Sequence, residues 1–211
     1  MIELNAVAKN FKHKNVLSGV TWKFEDGIVY GITGHNGCGK TVLLKLVCGL
    51  MKPDSGTIAI DGTEIGRHGD LPQSCGVIIE TPIFWSEKTG METLQYLAGF
   101  QKKIGDKEIR DTLERVGLYE DRNAKVGKYS LGMKQRLAIA QAVMEDQKIL
   151  LLDEPTNSLD EDGVILFNNI IKEEKAKNKT IILVTHNFED IKPCMDCHLK
   201  LTRGKLTEAE V

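Results

Sequence analysis

Apolar residues follow more than one rhythm along the chain. Val77-Ile78-Ile79, Ile149-Leu150-Leu151-Leu152 and Ile181-Ile182-Leu183-Val184 are short runs without a polar break. Partly β-branched and lacking alternation, they have the pattern that strands buried on both faces of a parallel sheet require. Residues 106–116 and 130–145 carry a helical pattern instead. Strand, helix, strand, helix in succession predicts an α/β fold. Val42, Leu43, Leu44, Leu46, Val47 and Leu50 face nearly every side of residues 40–50, which predicts a buried helix ending before Pro53. Earlier, 19–24, 27–33 and 57–60 read as strands, with Asp26-Gly27 and Asp61-Gly62 as turn signals beside them. The stretch from about 87 to 147 is rich in helical pattern and lies between two core strands. It predicts a helical subdomain inserted into a single domain spanning 1–211. Ligands of such sheets gather at the carboxyl ends of the strands, so chemistry is sought there.

One such end carries Gly34-His35-Asn36-Gly37-Cys38-Gly39-Lys40-Thr41, which fits G-x-x-x-x-G-K-[ST] between a predicted strand and a predicted helix. Glycines let the backbone curl until successive N–H groups point at phosphate oxygens, and the positive end of the next helix adds to the attraction. Lys40 supplies a point charge for the β- and γ-phosphates, and the Thr41 hydroxyl suits Mg²⁺, a cation that prefers hard oxygens. The plain alternative is a glycine-rich turn with an incidental Lys-Thr. Asp153 and Glu154 follow the second apolar run. Asp153 is placed to hold Mg²⁺ and Glu154 to orient or deprotonate a water attacking the γ-phosphate. A helix-capping pair before Pro155 is the competing reading. Thr185-His186-Asn187 ends the third run, where a histidine can donate to a γ-phosphate, although a lone histidine more often serves structure.

Charge narrows the field. Twenty-eight Lys and Arg against 30 Asp and Glu give a formal net charge of −2, without the basic excess that a nucleic-acid partner requires. The 211 residues are 41% apolar and 27% charged, as in a globular protein. The longest stretch free of charged residues, 27–39, is rich in Gly, Thr and Asn, and nothing approaches the ~20 apolar residues of a spanning helix. The opening MIELNAVAKNFKHKN has no secretory pattern, so a cytoplasmic location is expected. Cys38, Cys48, Cys75, Cys194 and Cys197 are then expected as free thiols. Cys194-Met195-Asp196-Cys197-His198 fits the C-x-x-C-H haem pattern, but two thiols before a last strand is the simpler reading in that compartment.

Together these residues resemble one family, the ATP-binding cassette (ABC) ATPases. Tyr129-Ser130-Leu131-Gly132-Met133-Lys134-Gln135-Arg136 looks like the family signature L-S-G-G-Q at the start of a long helix. Glu154-Pro155-Thr156-Asn157-Ser158-Leu159-Asp160 resembles the run from the catalytic Glu to the D-loop, and His186 falls at the switch histidine. The resemblance implies a phosphate-loop NTPase core with a mainly parallel sheet, an N-terminal antiparallel β subdomain and an inserted helical subdomain. It implies ATP and Mg²⁺ as cofactors, with Gly34 to Thr41, Val42 and the adenine-stacking Phe11 binding ATP. Thr41, Asp153 and Glu80 would hold the metal, and Glu154, His186 and Glu80 would serve catalysis. Two copies would pack head to tail, so that Ser130, Leu131, Gly132 and Met133 reach the ATP of the opposite subunit and Asp160 lies in the D-loop. A separate transmembrane permease would complete the transporter, with this subunit peripheral on the inner face of the membrane.

Departures from the family pattern matter. Leu131 and Met133 replace a Gly and the Gln of the signature, while Ser130 and Gly132 survive. Glu80 stands where the family has Gln, and Ile79-Glu80-Thr81-Pro82 is similar to cassettes of bacterial peptide-antibiotic export and immunity systems. A carboxylate is a better Mg²⁺ ligand but repels the γ-phosphate when the metal is absent. Phe11 has a core reading beside the adenine one. Cys38, near Lys40 and a helix N-terminus, is expected as a reactive thiolate whose blocking inhibits turnover. A soluble cassette acting in assembly or regulation is the alternative function; cargo is chosen elsewhere.

Overall fold

The computed structural model describes residues 1–12, 14–65 and 74–210. Residues 13, 66–73 and 211 of the expected 1–211 unit lie outside the described set. Two sheets form the frame. The first is antiparallel, ordered β2 (Lys14–Phe24), β1 (Ile2–Phe11), β4 (Ser55–Ile60), β5 (Thr63–Glu64). The second is ordered β10 (Lys205–Glu208), β9 (Cys197–Thr202), β3 (Val29–Thr33), β8 (Thr180–Val184), β7 (Ile149–Asp153), β6 (Cys75–Ile78). Its neighbours from β9 to β6 are all parallel, and β10 closes the edge antiparallel.

The unbroken apolar runs follow from this layering. Ile149, Leu151, Ile182 and Val184 enter a core shared with α1 (Lys40–Val47) and the antiparallel sheet, through Leu43, Leu44, Ile2 and Leu4. Leu150, Leu152, Ile181 and Leu183 enter the opposite core, under α4 (Leu131–Val143) and α5 (Glu161–Ala176), through Leu137, Phe167 and Ile170. A strand covered on both sides has no face for a polar alternation. Between β6 and β7 the regular elements are α2 (Gly90–Gln101), α3 (Asp106–Arg115), a short 3₁₀ turn at Val126–Lys128 and α4. The two Asp-Gly signals serve different turns. Asp61 and Gly62, both at positive φ, close the β4–β5 hairpin, whereas Asp26-Gly27 carries the chain from one sheet to the other.

Some expectations change. The buried helix α1 stops at Val47, short of residue 50, where Cys48 and Gly49 turn the chain. Cys197 lies inside β9 and not ahead of a last strand, since β10 still follows. Cys194 is packed in the core with its thiol donating to the Ile191 carbonyl, and burial pushes that thiol up to about 12. A thiol so placed offers no opening to a haem vinyl group.

One buried charge cluster ties the helical segment to the core. Glu174 of α5 is wholly buried and receives Arg115 of α3 at 2.6 Å and Lys177 at 3.1 Å, with the buried Lys179 also bonded to it. Burial would raise the Glu174 carboxyl, but bonds from Lys179 and Arg115 outweigh it and hold it below its ordinary 4.5. A carboxyl depressed in the fold contributes stability above its unfolded value and loses it as pH falls through its folded value. Glu174→Gln is therefore expected to lower unfolding free energy by about 3 kcal/mol at neutral pH. In urea titrations the gap from wild type should narrow as pH falls below 4.5.

Candidate functional site

The segments after the carboxyl ends of β3, β6 and β7 meet at one cleft of about 640 Å³, a size suited to a nucleotide. The loop from Gly34 leads out of β3 into α1, with Gly37 at φ 74° and Gly39 at φ 111°, conformations that glycine adopts without strain. Asn36, Gly37 and Gly39 line the cleft, as do Lys40, Thr41 and Val42. Lys40 is buried, its Nζ donating to the Gly34 carbonyl at 2.8 Å. The ammonium is thus folded onto its own loop. His35 is exposed, with Nδ1 3.0 Å from the Asn36 carbonyl. Phe11, half-exposed at the end of β1, faces the same cleft, which removes its core reading.

Thr41 and Asp153 meet directly, Oγ1 donating to Oδ2 at 2.6 Å. Burial pushes the Asp153 carboxyl above its ordinary range and the Glu154 charge adds to that, against the Thr41 hydroxyl and the Glu80 N–H that bond it. A buried carboxylate beside a second one is eased by a cation. Glu154 follows at φ 49°, a left-handed conformation that is strained for a glutamate. Its N–H is held by the Val184 carbonyl at 2.7 Å, so pairing of β7 with β8 sets its position. His186 Nδ1 lies 2.8 Å from Glu154 Oε2, and Thr185 Oγ1 and the His186 N–H reach the same oxygen at 3.2 and 3.3 Å. Glu80, two-thirds exposed and at φ 62°, lines the cleft across from them.

The other candidates lie apart. Ser130 caps α4, its Oγ accepting from the Met133 N–H at 3.1 Å. Leu131 is 69% exposed, and Ser130, Leu131, Gly132 and Met133 are not among the residues lining their own chain's cleft. A Cβ on Gly132 would stand 2.8 Å from the Ser158 carbonyl, so only glycine lets these backbones approach. Asp160 caps α5 through the Gly163 N–H and pairs with Arg136 at 3.2 Å, also outside the cleft. Cys38 departs from expectation. Its side chain is 6% exposed and packs into the core beside β9, so no thiol faces the cleft for a reagent to find.

The sequence pattern of the family described as "ABC transporter" matches residues 17–157. The uncharacterized ABC transporter ATP-binding protein YybJ of Bacillus subtilis is 41% identical over 210 residues, covering 100% of this chain and 96% of that one. This chain belongs to the ABC transporter family. The bacitracin transport ATP-binding protein BcrA of Enterococcus faecalis is 34% identical, over 99% of this chain and 68% of its own length. A solved structure titled "Structure of ATP binding subunit of ABC transporter" superposes with a TM-score of 0.88 at 26% identity, covering 99% of this chain and 89% of that one. This ABC ATPase cassette accordingly has the mixed α/β architecture that its sequence predicts.

The cassette's cleft also holds residues not singled out from sequence. Gln135 reaches in from α4, its Nε2 donating to the Pro155 carbonyl at 2.9 Å, and Asn157 and Ser158 line the same wall. Gln135 stands within the signature-like run, so its position carried the signal. Lys45, one turn beyond Thr41 on α1, pairs with Glu80. Among the described residues no three His, Cys, Asp or Glu side chains gather to hold a metal by themselves. Thr41 Oγ1 and Asp153 Oδ2 are nonetheless hard oxygens side by side, a donor set that fits Mg²⁺ arriving with nucleotide phosphates.

Proposed function

We propose that the cassette binds Mg²⁺-ATP in this cleft and that two copies close on it, each signature covering the other's phosphates. What supports this reading is the division of the parts: loop and carboxylates line one cleft, with His186 bonded to Glu154 behind it, while the capped start of α4 is turned outside it. A helix start offers donors and positive potential to a phosphate, and the exposed Leu131 gives it an apolar shoulder for a second surface. Backbone N–H groups from Asn36 to Thr41 and the Lys40 ammonium would grip the phosphates, and Phe11 would stack on adenine. Thr41 and Asp153, with Glu80, would hold the Mg²⁺, which when bound screens phosphate charge. Glu154, with Oε2 anchored by His186 and Thr185, would use Oε1 to draw a proton from water as it attacks the γ-phosphate.

The work would be done on a permease at the inner face of the membrane, exporting an antibiotic-like peptide; the similarity to a bacitracin transport protein supports that cargo class. Among the described residues no helix is long and apolar enough to cross a membrane. A docking face is available. Ile83 is 92% and Phe100 71% exposed, and Trp85, Tyr96 and Phe100 form an edge-to-face ladder with centroids 4.8 and 5.3 Å apart. Exposed apolar groups gathered in this way mark interaction surfaces. The face begins beside Glu80, so movement there can reach the cleft.

Tagged wild-type cassette recovered from detergent-solubilised membranes of its own host should bring down a polytopic membrane protein. Ile83→Asp with Phe100→Asp is expected to reduce that recovery at least about 10-fold, with a thermal midpoint close to wild type. Equal recovery by the doubly substituted chain would remove the permease from this face.

A further inference from the structure

The Glu80 carboxylate has a partner that the family resemblance did not supply. Lys45 Nζ lies 2.5 Å from Glu80 Oε1, with the lysine side chain 27% and the glutamate 65% exposed. Thr41 and Lys45 stand four residues apart on one face of α1. Thr41 reaches Asp153 at the end of β7, and Lys45 reaches Glu80 beyond the end of β6. The Glu80 backbone N–H meanwhile favours the charged form of the Asp153 carboxylate. Glu80 is thus held by its side chain to a cation on α1, while its main chain lies on the side of the metal-side carboxylate.

Charge explains why that hold matters. Glu80, Asp153 and Glu154 line a cleft whose proposed ligand is a polyanion, and among the described residues Lys40 is the cation lining it. A glutamine at position 80 would add no charge to this balance. A glutamate adds one, and it faces the phosphates unless something else neutralises it.

We propose that Lys45 is a positioning residue, holding Glu80 away from the phosphate end of the cleft until a divalent cation arrives with ATP, whereupon Glu80 exchanges the ammonium for the cation. The proposal rests on reading the cleft as the ATP site. Lys45 then has two opposite effects. It protects metal-free ATP binding from Glu80, and it competes with the cation for Glu80 once metal is present.

The test is equilibrium binding of a fluorescent ATP analogue, in EDTA and in saturating Mg²⁺, to wild type, Lys45→Met, Lys45→Arg, Glu80→Gln and the Lys45→Met/Glu80→Gln pair. Lys45→Met should bind about 10-fold more weakly than wild type in EDTA, the scale of one unpaired charge several ångströms from a phosphate near the surface. In Mg²⁺ it should bind at least as tightly as wild type. The double substitution should restore EDTA binding, and Lys45→Arg should stay within about twofold of wild type. Mn²⁺ titrated against the ATP-loaded proteins and followed by electron paramagnetic resonance should show tighter metal binding in Lys45→Met.

Equal EDTA affinities for wild type and Lys45→Met would overturn the proposal. So would a deficit that persists in the double substitution, since Lys45 would then act on phosphate or on the fold. Lys40→Ala separates the two levels of inference. If it binds ATP as wild type does, the assignment of the cleft itself has failed; if it loses ATP while Lys45→Met changes nothing, only the role of Lys45 has.

Discussion

Glu154→Gln is expected to keep ATP bound and to slow hydrolysis by about 10²–10⁴-fold, the range that a positioned general base contributes. The amide preserves the shape of the side chain and can still meet Thr185 and the His186 N–H, which reach Oε2 at 3.2 and 3.3 Å. It cannot accept a proton from water. The strained backbone at φ 49° belongs to the position and not to the carboxylate, so the fold should be little affected. Without hydrolysis the ATP-joined pair has no route to reopen, and size-exclusion chromatography in Mg²⁺-ATP should show a lasting dimer where wild type shows a transient one. Phosphate release at the wild-type rate would refute the role given to Glu154.

Lys40→Ala is expected to act earlier, on binding itself. The ammonium is buried and donates to the Gly34 carbonyl at 2.8 Å, a neutral acceptor that β- and γ-phosphates would outcompete. Losing a charge-assisted bond to phosphate costs about 1.5–3 kcal/mol, and on the proposed reading two phosphates would share this lysine. Affinity should therefore fall by about 100-fold or more, measured by calorimetric titration with ATP. The two substitutions thus separate binding from chemistry: one should leave an occupied and idle dimer, the other an empty monomer.

How far these sites were legible from sequence depended on how local their causes are. Gly34 to Thr41, Asp153-Glu154 and His186 announce themselves because each sits at the end of an apolar run, and the end of a buried parallel strand is where such groups are useful. The runs at 149–152 and 181–184 were readable as doubly covered strands for the same reason. The first strands were harder. β1 pairs with both β2 and β4 through register shifts that break any alternation, so its pattern fits no single period. Helix α2 begins with a capping box from Thr89 and Glu92, a signal present in the sequence but short beside its tertiary context. The burial of Cys38 and the pairing of Lys45 with Glu80 were not legible at all. Each depends on which way a side chain turns once β9 or β6 has arrived from elsewhere in the chain.

Strand order has a last consequence, for the time at which this protein comes into being. The strand that carries the phosphate loop, β3, is made early but lies between β8 and β9, pairing Gly31 with Leu183 and with His198. On the ribosome, Lys40 and Thr41 therefore emerge behind a strand with neither neighbour, and Asp153 and Glu154 are still to be synthesised. The nascent chain cannot assemble its nucleotide grip piecemeal and must await its final third. Synthesis itself is the first gate on the enzyme: an interrupted translation product would carry the loop without the two strands that flank β3.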